Sequence, residues 1–92
     1  MKYVVQEDAH VYTEPWPVPL LMVDTPAWYA WIEEIGQFTF QSRYGTFSAR
    51  KERLANGRGG SYWRAYRKKQ GRLYRVYLGK SEQLTMARLT TV

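Results

Sequence analysis

The chain has 92 residues, no cysteine and a formal net charge of +6. This length suits one domain with a modest core, and the lack of cysteine excludes a disulfide framework and thiolate chemistry. The charge is segregated, because residues 43–80 hold twelve of the fourteen lysines and arginines but one of the eight acids, Glu52. A basic pole most often meets nucleic acid, with acidic protein partners and anionic lipid as the lesser options.

The sequence lacks the patterns of membrane insertion and secretion. Its longest apolar stretch, Val18 to Val23, is far shorter than a membrane span. The N-terminus has no basic region followed by an apolar run, which is the pattern of a secretory signal. We therefore expect a cytoplasmic protein.

Residues 1–24 predict an extended arm that contains proline and tryptophan, followed by a single small α+β domain over residues 25–92. A helix is excluded near residues 14–20, because each proline removes a backbone donor and extends the residue before it; the prolines are Pro15, Pro17 and Pro19. Trp16 is expected to pack on the domain.

Two short strands are candidates within this arm, at residues 1–5 and 11–13. His10 lies beside Asp8 with no second histidine or cysteine nearby. This isolation indicates a surface histidine rather than a metal ligand or a catalytic base.

The first helix is predicted to start at Asp24-Thr25-Pro26, where Thr25 or Asp24 caps and Pro26 suits the first turn. An apolar stripe follows at helical spacing and Gly36 ends it; the stripe is Trp28, Trp31, Ile32 and Ile35. We expect this stripe to be core, with the helix lying across the apolar face of a sheet.

The first hairpin is predicted from two alternating stretches, residues 37–42 and 46–53, around a turn at residues 43–45. Residues that face outward on these strands are Thr39, Gln41, Thr46, Ser48, Arg50 and Glu52. The glycine-rich loop at 55–60 lacks the Gly-x-x-x-x-Gly-Lys-Ser/Thr order of a phosphate-binding loop, so we predict no nucleotide site there.

The second hairpin spans Ser61 to Lys68 and Arg72 to Leu78, with Gly71 in its turn. Alternation predicts one face that belongs to the core, with Trp63, Ala65, Tyr74, Val76 and Leu78. The other face interleaves aromatic and cationic side chains, namely Tyr62, Arg64, Tyr66, Lys68, Arg75 and Tyr77. A turn at Gln70 and Gly71 pairs Lys68 with Leu73, Tyr66 with Arg75 and Arg64 with Tyr77.

A second helix is predicted to begin between Ser81 and Thr85 and to end near Thr90, with Leu84 and Ala87 inward and Met86 or Leu89 as a further inward position. The order of elements is helix, hairpin, hairpin, helix. The fold class we expect is therefore α+β, an antiparallel sheet of three or four strands packed against an N-terminal and a C-terminal helix.

The open face of this sheet is the predicted binding surface, and duplex DNA is the predicted ligand, because an antiparallel ribbon fits the major groove and arginine reads guanine. Base edges or nearby phosphates are assigned to Arg50, Arg64 and Arg75. Rim phosphates are assigned to Arg67, Lys68, Lys69, Arg72 and Lys80. Hydroxyl or stacking contacts are assigned to Tyr62, Tyr66 and Tyr77.

Residues from Thr25 to about Thr90 resemble a segment near the N-terminus of large bacterial LuxR-type, maltose-activator-like transcriptional regulators. The resemblance rests on the stretches TPAWYAWIEE, FTF, GTFSARKE, YWRAYR and RVYLGKSEQLTMARL, in that order. It implies a role in transcriptional regulation. More loosely, residues from about Gly45 to Thr90 are similar to the arm-site-binding domains of tyrosine integrases, which implies a sheet that lies in the DNA major groove.

Other functions stay open at this point. A protein-interaction module is favoured by the acidic, Trp- and Pro-rich N-terminal third, and aromatic side chains with basic neighbours also suit RNA or single strands. Tyrosine, arginine and lysine also simply keep an exposed sheet soluble. Catalysis, a metal site and a cofactor are not expected, because the chain has no cysteine, one histidine and scattered carboxylates.

Overall fold

The computed structural model describes residues 2–14, 18–53 and 60–92. Among these residues, seven strands form one sheet, and two helices and a 3-10 turn complete the structure. In chain order the elements are β1 (Lys2–Gln6), β2 (His10–Glu14), β3 (Pro19–Met22), α1 (Pro26–Glu34), β4 (Gln37–Ser42), β5 (Gly45–Arg53), β6 (Ser61–Lys69), β7 (Arg72–Gly79), the 3-10 turn (Ser81–Gln83) and α2 (Met86–Thr90).

The sheet is mixed, and the predicted fold class is wrong. Its strand order is β3-β2-β1-β4-β5-β6-β7. All neighbours are antiparallel except β1 and β4, which are parallel. The residues expected to form an arm thus add three strands to the two hairpins. They do so because Val5 lies beside Phe40 and extends the core, and that long-range pairing leaves no local pattern in the sequence.

Strand β3 forms one edge of the sheet and starts at Pro19. A proline is tolerated there because an edge strand has one side without a pairing strand. The expected packing of Trp16 lies outside the described residues, as do the prolines at 15 and 17 and most of the predicted loop at 55–60.

Helix α1 forms where the sequence predicts it. The hydroxyl of Thr25 accepts a hydrogen bond from the backbone N–H of Trp28 at 3.2 Å, which caps the first turn. At the other end the ammonium group of Lys51 donates to the carbonyl of Glu33 at 2.7 Å, where a cation complements the helix dipole. Trp28 and Ile32 are fully buried against the sheet.

Two buried indoles connect the helix side of the sheet to the C-terminal segment. The indole N–H of Trp28 donates to the carbonyl of Leu84 at 2.8 Å, and that of Trp63 donates to the hydroxyl of Ser81 at 3.0 Å. Buried indole N–H groups need such partners. The core therefore includes the chain after β7 as far as the buried side chain of Leu89.

The C-terminal helix ends at Thr90 as predicted but begins at Met86, just after the predicted range for its start. After the 3-10 turn, Thr85 caps a helix of five residues, and the Asp24 carboxylate accepts from the backbone N–H of Met86 at 3.1 Å. Leu84 is buried as expected, whereas Ala87 is exposed. The C-terminal segment thus contributes a 3-10 turn and one short helical turn, so the sheet is not packed against a C-terminal helix in the way that the predicted fold class requires.

The helical layer covers part of the sheet. A nine-residue helix is about 14 Å long, while seven strands span about 29 Å. Trp63, Ala65 and Leu78 are buried as predicted, but Tyr74 and Val76 remain 45% and 36% exposed. The distal part of the β6–β7 hairpin is therefore open on both faces, which the sequence prediction of a core face there did not anticipate.

Candidate nucleic-acid interface

The sheet surface opposite α1, here called the outer face, gathers most of the predicted site. Strand register places on it Thr39, Gln41, Thr46, Ser48, Arg50, Glu52, Tyr62, Arg64, Tyr66, Lys68, Leu73, Arg75 and Tyr77. The predicted cross-strand pairs of Lys68 with Leu73, Tyr66 with Arg75 and Arg64 with Tyr77 are all present. Gln70 and Gly71 have φ values of 53° and 78°, which is the type I′ geometry of a two-residue hairpin turn.

Two guanidinium groups converge on the ring of Tyr66. The Cζ atom of Arg50 lies 5.3 Å from the ring centroid and that of Arg75 lies 5.9 Å from it. Contacts of a cation with an aromatic face are worth about 0.5–1 kcal/mol at exposed sites, so the ring holds both groups side by side. Among the described residues, no carboxylate forms a salt bridge with either arginine.

This cluster lines an open depression of about 570 Å³ on the outer face. Its walls are Thr46, Phe47, Ser48, Arg50, Tyr66, Lys68, Leu73 and Arg75. Three cations, two hydroxyl groups from β5 and one phenol thus face a common space. Such a lining suits phosphate oxygens, because guanidinium, ammonium and hydroxyl groups all donate hydrogen bonds to them.

Glu52 organises the other half of the outer face. It accepts hydrogen bonds from the hydroxyl of Tyr66 and, at 3.1 Å, from that of Tyr62. Arg64 lies 3.7 Å from the same carboxylate and donates to the Tyr62 hydroxyl at 3.3 Å. The two phenols and Arg64 therefore already have partners within the protein, whereas the contact found for Arg50 and Arg75 within residues 2–14, 18–53 and 60–92 is the ring of Tyr66.

The remaining predicted contacts lie away from the outer face. Arg67 projects to the helix side of the sheet, where its guanidinium lies 5.5 Å from the Phe47 ring centroid. Lys69 and Arg72 face each other at the end of the hairpin next to the turn. Lys80 is exposed just after β7. The structure thus brings together on one face all but these four of the eleven predicted residues.

An aromatic pair lies at the far end of the outer face. The rings of Tyr62 and Tyr77 have centroids 5.7 Å apart and an interplanar angle of 38°. Tyr77 is 55% exposed. Because one of the rings is largely open to solvent, a planar base has a surface on which to stack.

Perturbed carboxylates are found at the opposite end of the sheet. The backbone N–H of Arg43 donates to Glu7 and lowers its pKa from the ordinary value of 4.5. The hydroxyl of Tyr12 donates to Asp8 and lowers the pKa of that carboxyl from 3.8. The same hydrogen bond raises the pKa of Tyr12. These interactions close the turns beside β1 and β4 and lie away from the depression lined by Arg50, Tyr66 and Arg75.

No group of three metal-ligating side chains occurs in residues 2–14, 18–53 and 60–92. His10 bonds through Nδ1 to the backbone carbonyl of Asp8 at 3.0 Å. Within the same ranges, no helix has the length and apolar character needed to cross a membrane.

No family model, curated protein or solved structure matches this chain. The two resemblances described from the sequence therefore stay predictions.

Alternation in the sequence predicts the outer face, but the contacts of Glu52 and the position of Arg67 were not predicted. Alternation predicts that Glu52 faces outward, but its hydrogen bonds from Tyr62 and Tyr66 and its ion pair with Arg64 depend on the register between β5 and β6. The predicted place of Arg67 at the phosphate rim is wrong, because Arg67 alternates with Trp63 and Ala65 and lies on the helix side. The alternation signal was sufficient for Arg67, whereas no local signal reveals the Glu52 hydrogen bonds.

Proposed function

We propose that this protein is a nucleic-acid-binding module without catalytic activity, and that its main ligand is duplex DNA bound through the outer face and the β6–β7 hairpin. The observation that carries the proposal is the convergence of Arg50 and Arg75 on Tyr66 beside Lys68, in a depression open to solvent. Cations without carboxylate partners retain their full attraction for phosphate.

The shape of the hairpin supports the choice of duplex DNA. The pairing of β5 with β6 ends at Ser48 and Tyr66, and β7 is exposed on both faces from Arg72 to Tyr77. Strands β6 and β7 therefore form a two-stranded ribbon between Tyr66 and the turn. The major groove of B-DNA admits such a ribbon. With the ribbon inserted in the groove, Arg75 and Lys68 face the base edges on one side. Lys69 and Arg72, next to the turn, reach the sugar–phosphate backbone of the DNA.

Glu52 gives the outer face two regions with different tasks. A carboxylate repels phosphate, so the backbone of a ligand is expected near Arg50, Lys68 and Arg75 rather than beside Glu52. A carboxylate can instead accept a hydrogen bond from the amino group of cytosine. A cytoplasmic location and a part in transcriptional regulation belong to the same proposal.

A salt series with single variants tests this function. We expect the affinity for a random duplex of about 20 base pairs to fall with salt at a log–log slope of about −4 or steeper. Arg75→Ala and Arg50→Ala should each weaken binding about tenfold or more at low salt and reduce the slope by about one. The matched control is Arg53→Ala, because Arg53 is an exposed arginine of the same strand as Arg50 but lies outside the depression.

The control separates a specific surface from general positive charge. If Arg53→Ala weakens binding as much as Arg75→Ala, net charge alone explains the affinity and the depression is not the site. Absence of binding at low salt would refute the proposal outright.

A second candidate ligand is single-stranded nucleic acid, favoured by the exposed ring of Tyr77 beside Tyr62. Stacking on an aromatic ring contributes about 1–3 kcal/mol per base. The same salt series with single-stranded DNA and RNA decides between the two ligands. If single strands bind more tightly than duplex, and Tyr77→Ala removes that preference, the second candidate replaces the first.

A further inference from the structure

Strand β7 offers a second interaction surface, its free edge. Among the described residues β7 pairs with β6 alone. Lys69 and Arg72 flank a two-residue turn, so they form a hydrogen-bonded pair, and bonded and non-bonded pairs then alternate along the hairpin. The backbone N–H and C=O groups of Leu73, Arg75 and Tyr77 therefore point away from β6.

Arg88 closes one end of this edge. Its guanidinium donates to the backbone carbonyls of Tyr77 and Leu78. The contact agrees with an outward direction of the Tyr77 carbonyl, and it prevents an added strand from continuing toward α2. Leu73 is 54% exposed and Arg75 is also exposed, so the part of the edge near the turn is accessible.

The two edges of the sheet differ in their chemistry. Strand β3 begins with Pro19, which has no backbone N–H, and its four residues carry no charge. Strand β7 has no proline and carries exposed apolar side chains on both faces, with Leu73 and Tyr77 on the outer face and Tyr74 and Val76 on the helix side. Strand addition needs backbone donors and apolar contacts together, and β7 supplies both. Strand β3 also exposes Leu20 and Met22, so positive charge is what distinguishes β7 from it.

Charge selects what this edge can bind. Residues 60–80 contain no acid but seven cations, namely Arg64, Arg67, Lys68, Lys69, Arg72, Arg75 and Lys80. A second copy of the chain paired edge to edge would bring two such clusters together, and like charges across adjacent strands are destabilising. An acidic strand would gain attraction from the same cations.

We propose that β7 accepts an extended acidic segment of a partner protein as an additional strand of the sheet. Backbone hydrogen bonds form with Leu73 and Arg75, acidic side chains lie beside Arg75 on the outer face, and apolar side chains lie beside Tyr74 and Val76 on the helix side. This inference goes beyond nucleic-acid binding, because it uses the backbone edge of β7 and a different class of ligand.

The probe is a fluorescein-labelled peptide of about eight residues in which glutamate alternates with valine, the pattern of a strand with one acidic and one apolar face. Anisotropy at low salt should show saturable binding to the whole protein. Leu73→Pro removes an outward N–H while sparing the bonds to β6, and it should weaken binding about tenfold or more. The matched control Leu73→Val keeps the N–H and should bind within about twofold of wild type.

Amide hydrogen exchange of the wild-type protein gives a second reading that does not depend on a variant being folded. Adding the peptide should slow exchange at the amides of Leu73 and Arg75. Unchanged exchange, or wild-type affinity in folded Leu73→Pro, overturns the proposal. Equal binding of a lysine–valine peptide would show that the edge does not select acidic segments. Amide protection that rises with protein concentration, without peptide, would identify a second copy of the chain as the occupant. Either result also overturns the proposal.

Discussion

At the scale of single residues, Glu52 is the one acidic residue within the basic region 43–80. It accepts from Tyr62 and Tyr66 and pairs with Arg64, and with those contacts it fixes which cations of the outer face stay available. In the proposed nucleic-acid complex, the carboxylate would oppose nonspecific attraction to phosphate while it orders the aromatic side chains.

The change Glu52→Gln tests this balance. It keeps one carbonyl acceptor but removes the charge, so we expect a loss of about 1 kcal/mol in the free energy of unfolding together with tighter binding to random duplex DNA. Urea denaturation and a salt series measure the two effects. Unchanged stability with unchanged affinity would mean that Glu52 neither orders the tyrosines nor opposes phosphate.

Glu7 and Asp8 predict an acid sensitivity. Both pKa values are lowered in the folded protein by hydrogen bonds from Arg43 and Tyr12, so both carboxylates contribute stability above their unfolded pKa values of 4.5 and 3.8. That contribution is lost as the pH falls through the lower folded values, because the unfolded chain then binds more protons.

The urea midpoint should therefore fall between pH 7 and about pH 3, and it should fall less in the double variant Glu7→Gln and Asp8→Asn. The double variant serves as the control, since its two turns have no carboxylate to protonate. Equal falls in both proteins would assign the acid sensitivity to other groups.

At the scale of elements, Gly79 ends β7 at an irregularity of pairing. Trp63 pairs with Gly79 and Arg64 with Tyr77, so one residue of β7 bulges out of the register. Gly79 has a φ of 116°, and a Cβ atom there would lie 3.2 Å from Cβ of Gln83 and closer still to its amide oxygen. That amide accepts from the backbone N–H of Lys80 at 2.8 Å, so the 3-10 turn depends on this space.

We expect Gly79→Ala to lower the free energy of unfolding by about 1–3 kcal/mol, since both the backbone angle and the contact are unfavourable for alanine. Thermal and urea denaturation measure it. Gly36→Ala is the control, because a Cβ atom at Gly36 meets nothing within 4 Å. Comparable stability of the two variants would show that the turn after β7 relaxes without cost.

The elements also show which local signals were sufficient. Helix α1 was predictable because Thr25, Pro26 and the apolar spacing lie within a dozen residues. The β6–β7 register was predictable because alternation and a two-residue turn fix each other. The candidate strands at residues 1–5 and 11–13 match β1 and β2. Their place in the sheet was not predictable, because the parallel partner of β1, strand β4, lies beyond β2, β3 and α1 in the chain. Only the assembled core decides that pairing.

At the scale of the whole molecule, the two indole hydrogen bonds hold the C-terminal segment against the sheet. Trp63 is fully buried and contacts Phe38, with ring centroids 5.3 Å apart. Trp63→Ala should lower the free energy of unfolding by about 3–5 kcal/mol. This is most of the stability of a small domain, so we expect circular dichroism to show an unfolded protein.

The described residues include no exposed tryptophan that could serve as a matched control, so the comparison uses Ser81→Ala. This change removes only the hydroxyl that accepts a hydrogen bond from the Trp63 indole. It should lower the free energy of unfolding by about 1–3 kcal/mol and leave a folded protein. A folded Trp63→Ala variant would show that the core tolerates this loss of volume.

The parallel pair of β1 and β4 has a consequence for the order of folding. Its two strands are neighbours in space, yet β2, β3 and α1 lie between them in the chain. Closing so long a loop is entropically costly, whereas the β6–β7 hairpin closes across two residues and needs microseconds. The basic hairpin is therefore expected to form early, and the N-terminal strands to dock last, so that β4 remains an open edge until the final step of folding.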